Sequence, residues 1–303
     1  MKVYLNRKPK FGPWGGGTKI VAELSKKLRE LNIEIVYQLG PHIDIIFCFD
    51  PRPNEFGERY QHFLEHRRKY NTRIIQRVGD LGTHSKPQLT ELVEQTINLS
   101  DYVIFPSLWA KERIGFKGNN YKIINNKPLP IFHKNKKKNL TLKDKIKLVT
   151  HHWSTNPKKG FDLYQKLDEY LKNNDKYECS YIGRIPENIK FKNIRHISPV
   201  DSQRLAEILP EQDIYITASL EEAGANHVLE AMAAGLPVIY HKDGGSIVNY
   251  CENYGEEYSS FEQLLKKIES VSNNYEHYKS SVLRYSETTN EVVKEYVDII
   301  CTK

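Results

Sequence analysis

The chain has 303 residues, 39% hydrophobic and 27% charged, with a formal net charge of +7. That length suggests about two domains, and no apolar run approaches the roughly 20 residues of a membrane span. Cys48, Cys179, Cys251 and Cys301 are scattered, with no CxxC pair and no zinc-like spacing to histidine, which excludes a disulfide framework and points to reduced thiols in a cytosolic protein.

The charge is unevenly placed. Residues 1–143 carry 26 Lys and Arg against 13 Asp and Glu, and residues 144–303 carry 19 against 25. A basic first half suits nucleic acid, an anionic membrane or an acidic substrate; solvated surface lysines account for it equally well.

The N-terminus opens on the strand-like "KVYLN" without an apolar leader, then a glycine loop, then Ile20, Val21, Leu24, Leu28 and Leu31 at helical spacing. "IDIIFCF", "TRIIQRV" and "DYVIFPS" read as short buried strands. A helix carrying Leu89, Leu92, Val93 and Ile97 lies between the last two, and "YKIINN" closes the series. "HKNKKKNLTLKDK" (133–145) is charged and strand-free, the natural place for a linker. The alternation then restarts with "IKLVTHH", a helix face of Leu163, Tyr164, Leu167, Tyr170 and Leu171, the strand "ECSYIG", and "DSQRLAEIL" with Asp201 at its N-cap. "DIYITAS" and "LPVIY" are strands, and two helical segments, about 260–272 and 274–301, end the chain. Strands alternating with helices indicate two α/β domains with mostly parallel sheets, whose ligands bind at the carboxyl ends of strands.

Between those last two strands stands "EEAGANHVLEAMAAG". Glu222 falls just past a strand's carboxyl end, Asn226 is placed to cap a helix, His227 is in the first turn and Glu230 one turn in. Gly235 and Pro237 stop the helix. A helix mouth behind a glycine loop offers backbone N–H groups and partial positive charge to a diphosphate. A carboxylate one turn in suits a vicinal diol, and one across the loop suits further hydroxyls. Two such glutamates either hold the ends of one nucleotide-sugar or are ordinary surface charges.

"EEAGANHVLEAMAAGLPVIYHKDGG" resembles the donor-binding signature of the glycosyltransferases group 1, the large retaining family with the GT-B fold. "GGGTKIVAELSKKL", "KIINN", "KKGFDL", "YIGR" and "ISPVDSQRLAEIL" match in order over nearly the whole chain. The resemblance implies two Rossmann-like domains with a cleft between them: an acceptor domain over 1–135, a Lys-rich linker at 136–145, a nucleotide-sugar domain over 146–285, and a C-terminal helix, 286–303, crossing back to the first domain. It implies that Glu230 binds the donor's ribose, Glu222 the transferred sugar, and backbone around Ala225 and Asn226 supports that sugar. Lys159 would neutralise the diphosphate leaving group, work that needs a cation where no metal is present. Gly15, Gly16 and Gly17 match the first glycine-rich loop, which lets backbone approach a ligand.

The departures are specific. Where the family often has an arginine, this chain reads "THHWSTNPKKG", so His152, Ser154 or Arg184 would supply that contact. Asn249 stands where an acidic residue is usual after the Gly-Gly turn. In the first domain "IIQRVGDLGTH" offers Arg77, Asp80 and His84 in place of a histidine, and Asp80 is chosen as the acceptor contact. The implied function is metal-independent, retaining transfer from a nucleotide-sugar, as substrate, to a glycan or lipid-linked acceptor. No cofactor, metal or nucleic acid is expected. The place is the cytoplasm, at the periphery of an anionic membrane if the aromatics of 55–73 (Phe56, Tyr60, Phe63) face lipid rather than the sheet.

Rival classes have less support. A nicotinamide dehydrogenase would place GxGxxG directly after its first strand, which "NRKPKFGPWGGGTK" does not. A basic nucleic-acid-binding α/β protein rests on charge alone. A non-catalytic transferase-like binding protein remains the alternative that the departures favour.

Overall fold

The computed structural model describes residues 1–9, 12 and 16–302. Its first part runs β1 (Lys2–Leu5), α1 (Gly16–Glu30), β2 (Glu34–Val36), β3 (Ile45–Cys48), α2 (Tyr60–Tyr70), β4 (Arg73–Arg77), α3 (Pro87–Ile97), β5 (Tyr102–Phe105), α4 (Leu108–Arg113) and β6 (Tyr121–Ile123). These strands are parallel, in the order β2-β1-β3-β4-β5-β6. A parallel sheet needs cover on both faces, so its inner strands β1, β3, β4 and β5 are largely buried on both sides. Alternate residues then serve opposite layers. Val3, Leu5, Ile45 and Phe47 join one core, while Tyr4, Ile46 and Cys48 join the other.

The second part runs β7 (Ile146–His152), α5 (Phe161–Leu171), β8 (Tyr177–Gly183), β9 (Ile194–Ile197), α6 (Ser202–Ile208), β10 (Ile214–Thr217), α7 (Asn226–Ala233), β11 (Val238–His241), α8 (Ser246–Cys251), β12 (Gly255–Tyr258), α9 (Phe261–Asn273) and α10 (Tyr275–Leu283). This sheet is also parallel, ordered β12-β11-β10-β7-β8-β9. The chain builds outward from β7 through β8 and β9, then returns to place β10 on β7's other side. That reversal opens a crevice at the carboxyl ends of β7 and β10, where α/β sheets take ligands. The same alternation divides the residues: Leu148, Ile214, Ile216 and Ile239 face the α5 and α9 layer, and Val149, Tyr215, Val238 and Tyr240 face the α7 and α8 layer.

The chain forms two compact units, residues 1–126 with 289–303, and residues 127–288. The final helix, α11 (Thr289–Cys301), belongs to the first. Its Val292, Val293, Tyr296 and Ile300 share a core with Ile20, Val21, Leu24 and Leu28 of α1. Arg73 donates to the carbonyls of Ile299 and Thr302, and Arg77 to the Tyr296 hydroxyl at 3.1 Å. Periodicity predicts one helix over 274–301, but the structure breaks it at 284–288 into α10 and α11, where Ser and Thr favour a new N-terminus over continuation.

Strands β2, β9 and β12 and the short helices α4 and α8 have no counterpart in the periodicity reading. All three are edge strands, polar as in "GEEY" and "IRHI", so they carry no buried run to detect. In α2, Tyr60 and Phe63 are packed against Tyr4, Ile46 and Ile74. The aromatic side that would enter lipid is thereby taken by the sheet, while Phe56 stays 41% exposed and Arg68 and Lys69 face solvent. Among the described residues no helix is long and apolar enough to cross a membrane.

Candidate active site

The crevice is built from three loops. After β7 the chain makes a turn at Pro157–Lys159, where the Asn156 side chain accepts the Lys158 N–H at 3.0 Å. Gly160 closes that turn at φ +77°, and a Cβ there would run into Ala218. Only glycine lets this loop lie so close to the end of β10. The contact is sealed by the Leu220 N–H, which donates to the Lys158 carbonyl at 2.8 Å.

Two lysines thus meet two glutamates. Lys158 pairs with Glu221 at 2.5 Å, and Lys159 with Glu222. Glu221 holds a left-handed φ of 51°, a conformation that costs a non-glycine residue roughly 1–2 kcal/mol. It is held there because its N–H donates to Asp243 at 2.9 Å and because Glu222 pairs across the third loop. Glu222 receives the Ser246 N–H at 2.8 Å on its carbonyl and donates its own N–H to Gly244. This bridge has Gly245 at its centre, at φ +70°.

Helix α7 starts beside Glu222. Its cap is Ala225, not Asn226, and no side chain caps it. The Ala225 N–H is instead given to Ser246 Oγ of α8 at 3.1 Å, a tertiary contact that local propensity cannot report. Asn226 is the first helical residue, its side-chain amide 3.4 Å from the Gly224 carbonyl. The next amides, from Asn226 onward, have no intrahelical partner and open the helix mouth.

Glu230 lies one turn in and is 3% exposed. His151 Nε2 is 2.9 Å from its Oε2. Consecutive histidines on a strand point to opposite faces. His151 therefore meets Tyr215 and Glu230 on the α7 side, whereas His152 is turned to Tyr164 (3.0 Å) and Thr150 (3.2 Å) on the α5 side. His227, in the first turn of α7, sets its Nε2 3.0 Å from Thr217 Oγ1. Burial drives its pKa down to about 3, Lys159 and His151 adding to the effect and Glu222 and Glu230 opposing it. Its ring is neutral, so the positive charge at the mouth comes from lysine and helix.

Of the other residues singled out, Arg184 is exposed just past β8, its N–H donating to the His152 carbonyl at 3.1 Å. Ser154 is exposed and its Oγ accepts the Asn156 N–H at 3.1 Å. Asn249 is exposed on α8. In the first unit, Asp80 follows β4, accepts the Gly82 N–H at 2.9 Å and pairs with Lys86 at 2.7 Å. Arg77 is buried between Tyr296 and Asn126. Gly16 and Gly17 begin α1, and a Cβ on Gly17 would meet nothing within 4 Å; Gly15 lies outside the described residues. Sequence reasoning passed over His151 and Ser246. The signal for His151 was its parity with Val149, which puts it on the face opposite His152.

The family model of glycosyl transferases group 1 matches residues 132–282, which contain this whole constellation. These residues are a glycosyl transferases group 1 domain. The structural neighbours agree with that family. HepE of Anabaena, determined in complex with UDP and glucose, superposes with a TM-score of 0.72 at 12% identity, over 99% of this chain and 98% of its own. WaaG, a glycosyltransferase involved in lipopolysaccharide biosynthesis, superposes at 0.66 and 14% identity over 100% of both chains. The pneumococcal O-GlcNAc transferase GtfA, in complex with UDP and GlcNAc, superposes at 0.64 and 14% identity over 93% of this chain. This chain spans 60% of that protein's length. No curated protein sequence matches the chain. The fold is of the GT-B class, with two Rossmann-type units.

Proposed function

We propose that this glycosyltransferase takes a nucleotide-sugar into the β7–β10 crevice and moves its sugar, with retained anomeric configuration and without a metal ion, to a hydroxyl of a glycan or lipid-linked acceptor. The observation that carries the reading is the meeting of Lys159 with Glu222, 63 residues apart in the chain, beside the mouth of α7, with the buried Glu230 one turn into that helix. Glu230 receives the ribose diol. The diphosphate lies against the first-turn amides and Lys159, and Glu222 receives hydroxyls of the sugar. In the transfer step the acceptor oxygen bonds to the anomeric carbon as the bond from that carbon to the diphosphate breaks. The acceptor's proton passes to a diphosphate oxygen, and Lys159 neutralises the charge that develops there. The HepE and GtfA complexes with UDP support a uridine nucleotide as the first donor to try. Asp80, Arg184, Ser154 and the Gly16–Gly17 start of α1 are secondary contacts of this proposal. A lipid-linked acceptor brings the basic first half to an anionic membrane surface, which vesicle sedimentation at low and high salt tests.

The experiment is a thermal-shift panel of nucleotide-sugars on the purified chain, followed by detection of released nucleoside diphosphate with candidate acceptors. A donor at 100 times its Kd adds about 2.7 kcal/mol to stability. A panel with no shift for any donor would overturn the donor reading. Binding without release across all acceptors would favour the non-catalytic alternative.

A further inference from the structure

A carboxylate as buried as Glu230 persists only where donors meet its oxygens. His151, 1% exposed, is such a donor, with Nε2 2.9 Å from Oε2. An ionised carboxylate only accepts, so Nε2 carries the proton. The opposite edge of the ring is fixed by Tyr215 of β10. Its hydroxyl accepts the backbone N–H of His151 at 3.1 Å and lies 3.1 Å from Nδ1 and 3.3 Å from the same residue's carbonyl oxygen. Burial raises the Tyr215 phenol well above its ordinary range, so it keeps its proton and directs it between Nδ1 and the carbonyl oxygen of His151. With Nε2 donating to Glu230, Nδ1 is the edge left to accept from the phenol, an arrangement that favours the tautomer with hydrogen on Nε2. The chain of bonds runs from β10 through β7 to α7, across the switch point itself.

We propose that His151 is the positioning residue of the donor site: held by Tyr215 as the Nε2–H tautomer, it fixes the Glu230 carboxylate in the orientation that receives the ribose 2′- and 3′-hydroxyls of a nucleotide-sugar. The proposal rests on the ribose reading of Glu230 given above. A nonpolar side chain at 151 leaves Oε2 without this donor and loosens its orientation. Glutamine at 151 retains an N–H near the same place.

Calorimetry on the full chain with UDP, GDP and ADP selects the nucleotide, and its 2′,3′-dideoxy form serves as the control. Loss of a hydrogen bond to a charged group predicts that His151→Leu weakens the ribonucleotide at least about tenfold. His151→Gln should recover most of that loss, and the penalty should vanish for the 2′,3′-dideoxynucleotide. In a Glu230→Gln background, His151→Leu should add nothing further. The ¹⁵N shifts of His151 should report a protonated Nε2 and an accepting Nδ1, altered by Tyr215→Phe. A purely structural role would lower the affinity for both nucleotides equally. Equal loss for both, or no loss in His151→Leu while Glu230→Gln weakens binding, overturns the proposal and leaves the donor reading standing. If His151→Leu does not fold, a proton on Nδ1 with none on Nε2 in the wild-type ring overturns it. Unchanged affinity in Glu230→Gln, or no nucleotide bound by the wild type, overturns the ribose reading and this inference with it.

Discussion

Lys159 Nζ donates to Glu222 Oε1 between the loops that follow β7 and β10, and the two side chains are only 11% and 13% exposed. Removing one partner of a desolvated pair leaves the other charge uncompensated. Lys159→Ala is therefore expected to cost up to about 3 kcal/mol of stability in urea unfolding. It should also lower kcat at least about a hundredfold by withdrawing the charge from the leaving diphosphate. A variant that folds and turns over at the wild-type rate would exclude Lys159 from that step.

Glu222→Gln keeps the shape and one acceptor oxygen but loses the charge. Because the nucleotide end is assigned to Glu230, nucleotide Kd should change less than about threefold while kcat falls by ten or more. Calorimetry and steady-state rates on the same preparation separate the two. A large rise in Kd with unchanged kcat would move Glu222 to the nucleotide.

The buried His227, with its pKa near 3 against 6.5 for an ordinary histidine, makes stability depend on pH. Between those values the unfolded chain binds a proton that the folded chain refuses, so stability falls as pH drops from 6.5 toward 3. By pH 5 the contribution lost is about 2 kcal/mol. His227→Gln should flatten the dependence of unfolding free energy on pH, by nearly one proton at pH 5 and progressively less toward pH 7. Identical slopes in the two proteins would show that the groups around it (Lys159, Glu222, His151 and Glu230) account for the whole dependence.

Transfer should proceed in excess EDTA, since the proposed positive charge is that of Lys159 and the α7 mouth. Abolition by chelator with rescue by manganese or magnesium would replace this part of the mechanism.

Gly245→Ala tests the strap that carries Glu222. A Cβ at 245 would come within 2.6 Å of the Glu222 carbonyl oxygen and 2.8 Å of its nitrogen, at a φ of +70° that already penalises a side chain. Backbone strain alone costs roughly 1–2 kcal/mol. Activity should be lost at temperatures where circular dichroism still reports a folded chain. Full activity would mean that Glu222 tolerates displacement and makes no precise contact.

Local sequence was enough for the α/β class, because parallel strands buried on both faces, such as "IIFC" and "IYIT", leave short apolar runs that nothing else in a chain of this composition produces. A glycine loop, a helix start and a carboxylate one turn in are local features too, and they marked Glu222 and Glu230 as candidates, while Lys159 was proposed from the resemblance of "KKGFDL" to the family's motif. Tertiary structure decided the rest. The Lys159–Glu222 contact joins residues 63 apart and depends on β10 returning to lie beside β7, which no periodicity encodes. Alternation along β7 states that His151 and His152 face opposite ways. Which of them meets Glu230 depends on α7 covering the Val149 face. The Ser246 hydroxyl on Ala225 comes from a different helix and explains why Asn226 is not the cap. Likewise α11 is an ordinary amphipathic helix by its sequence; only the apolar face of α1 left open in the first unit determines where its own apolar stripe is buried.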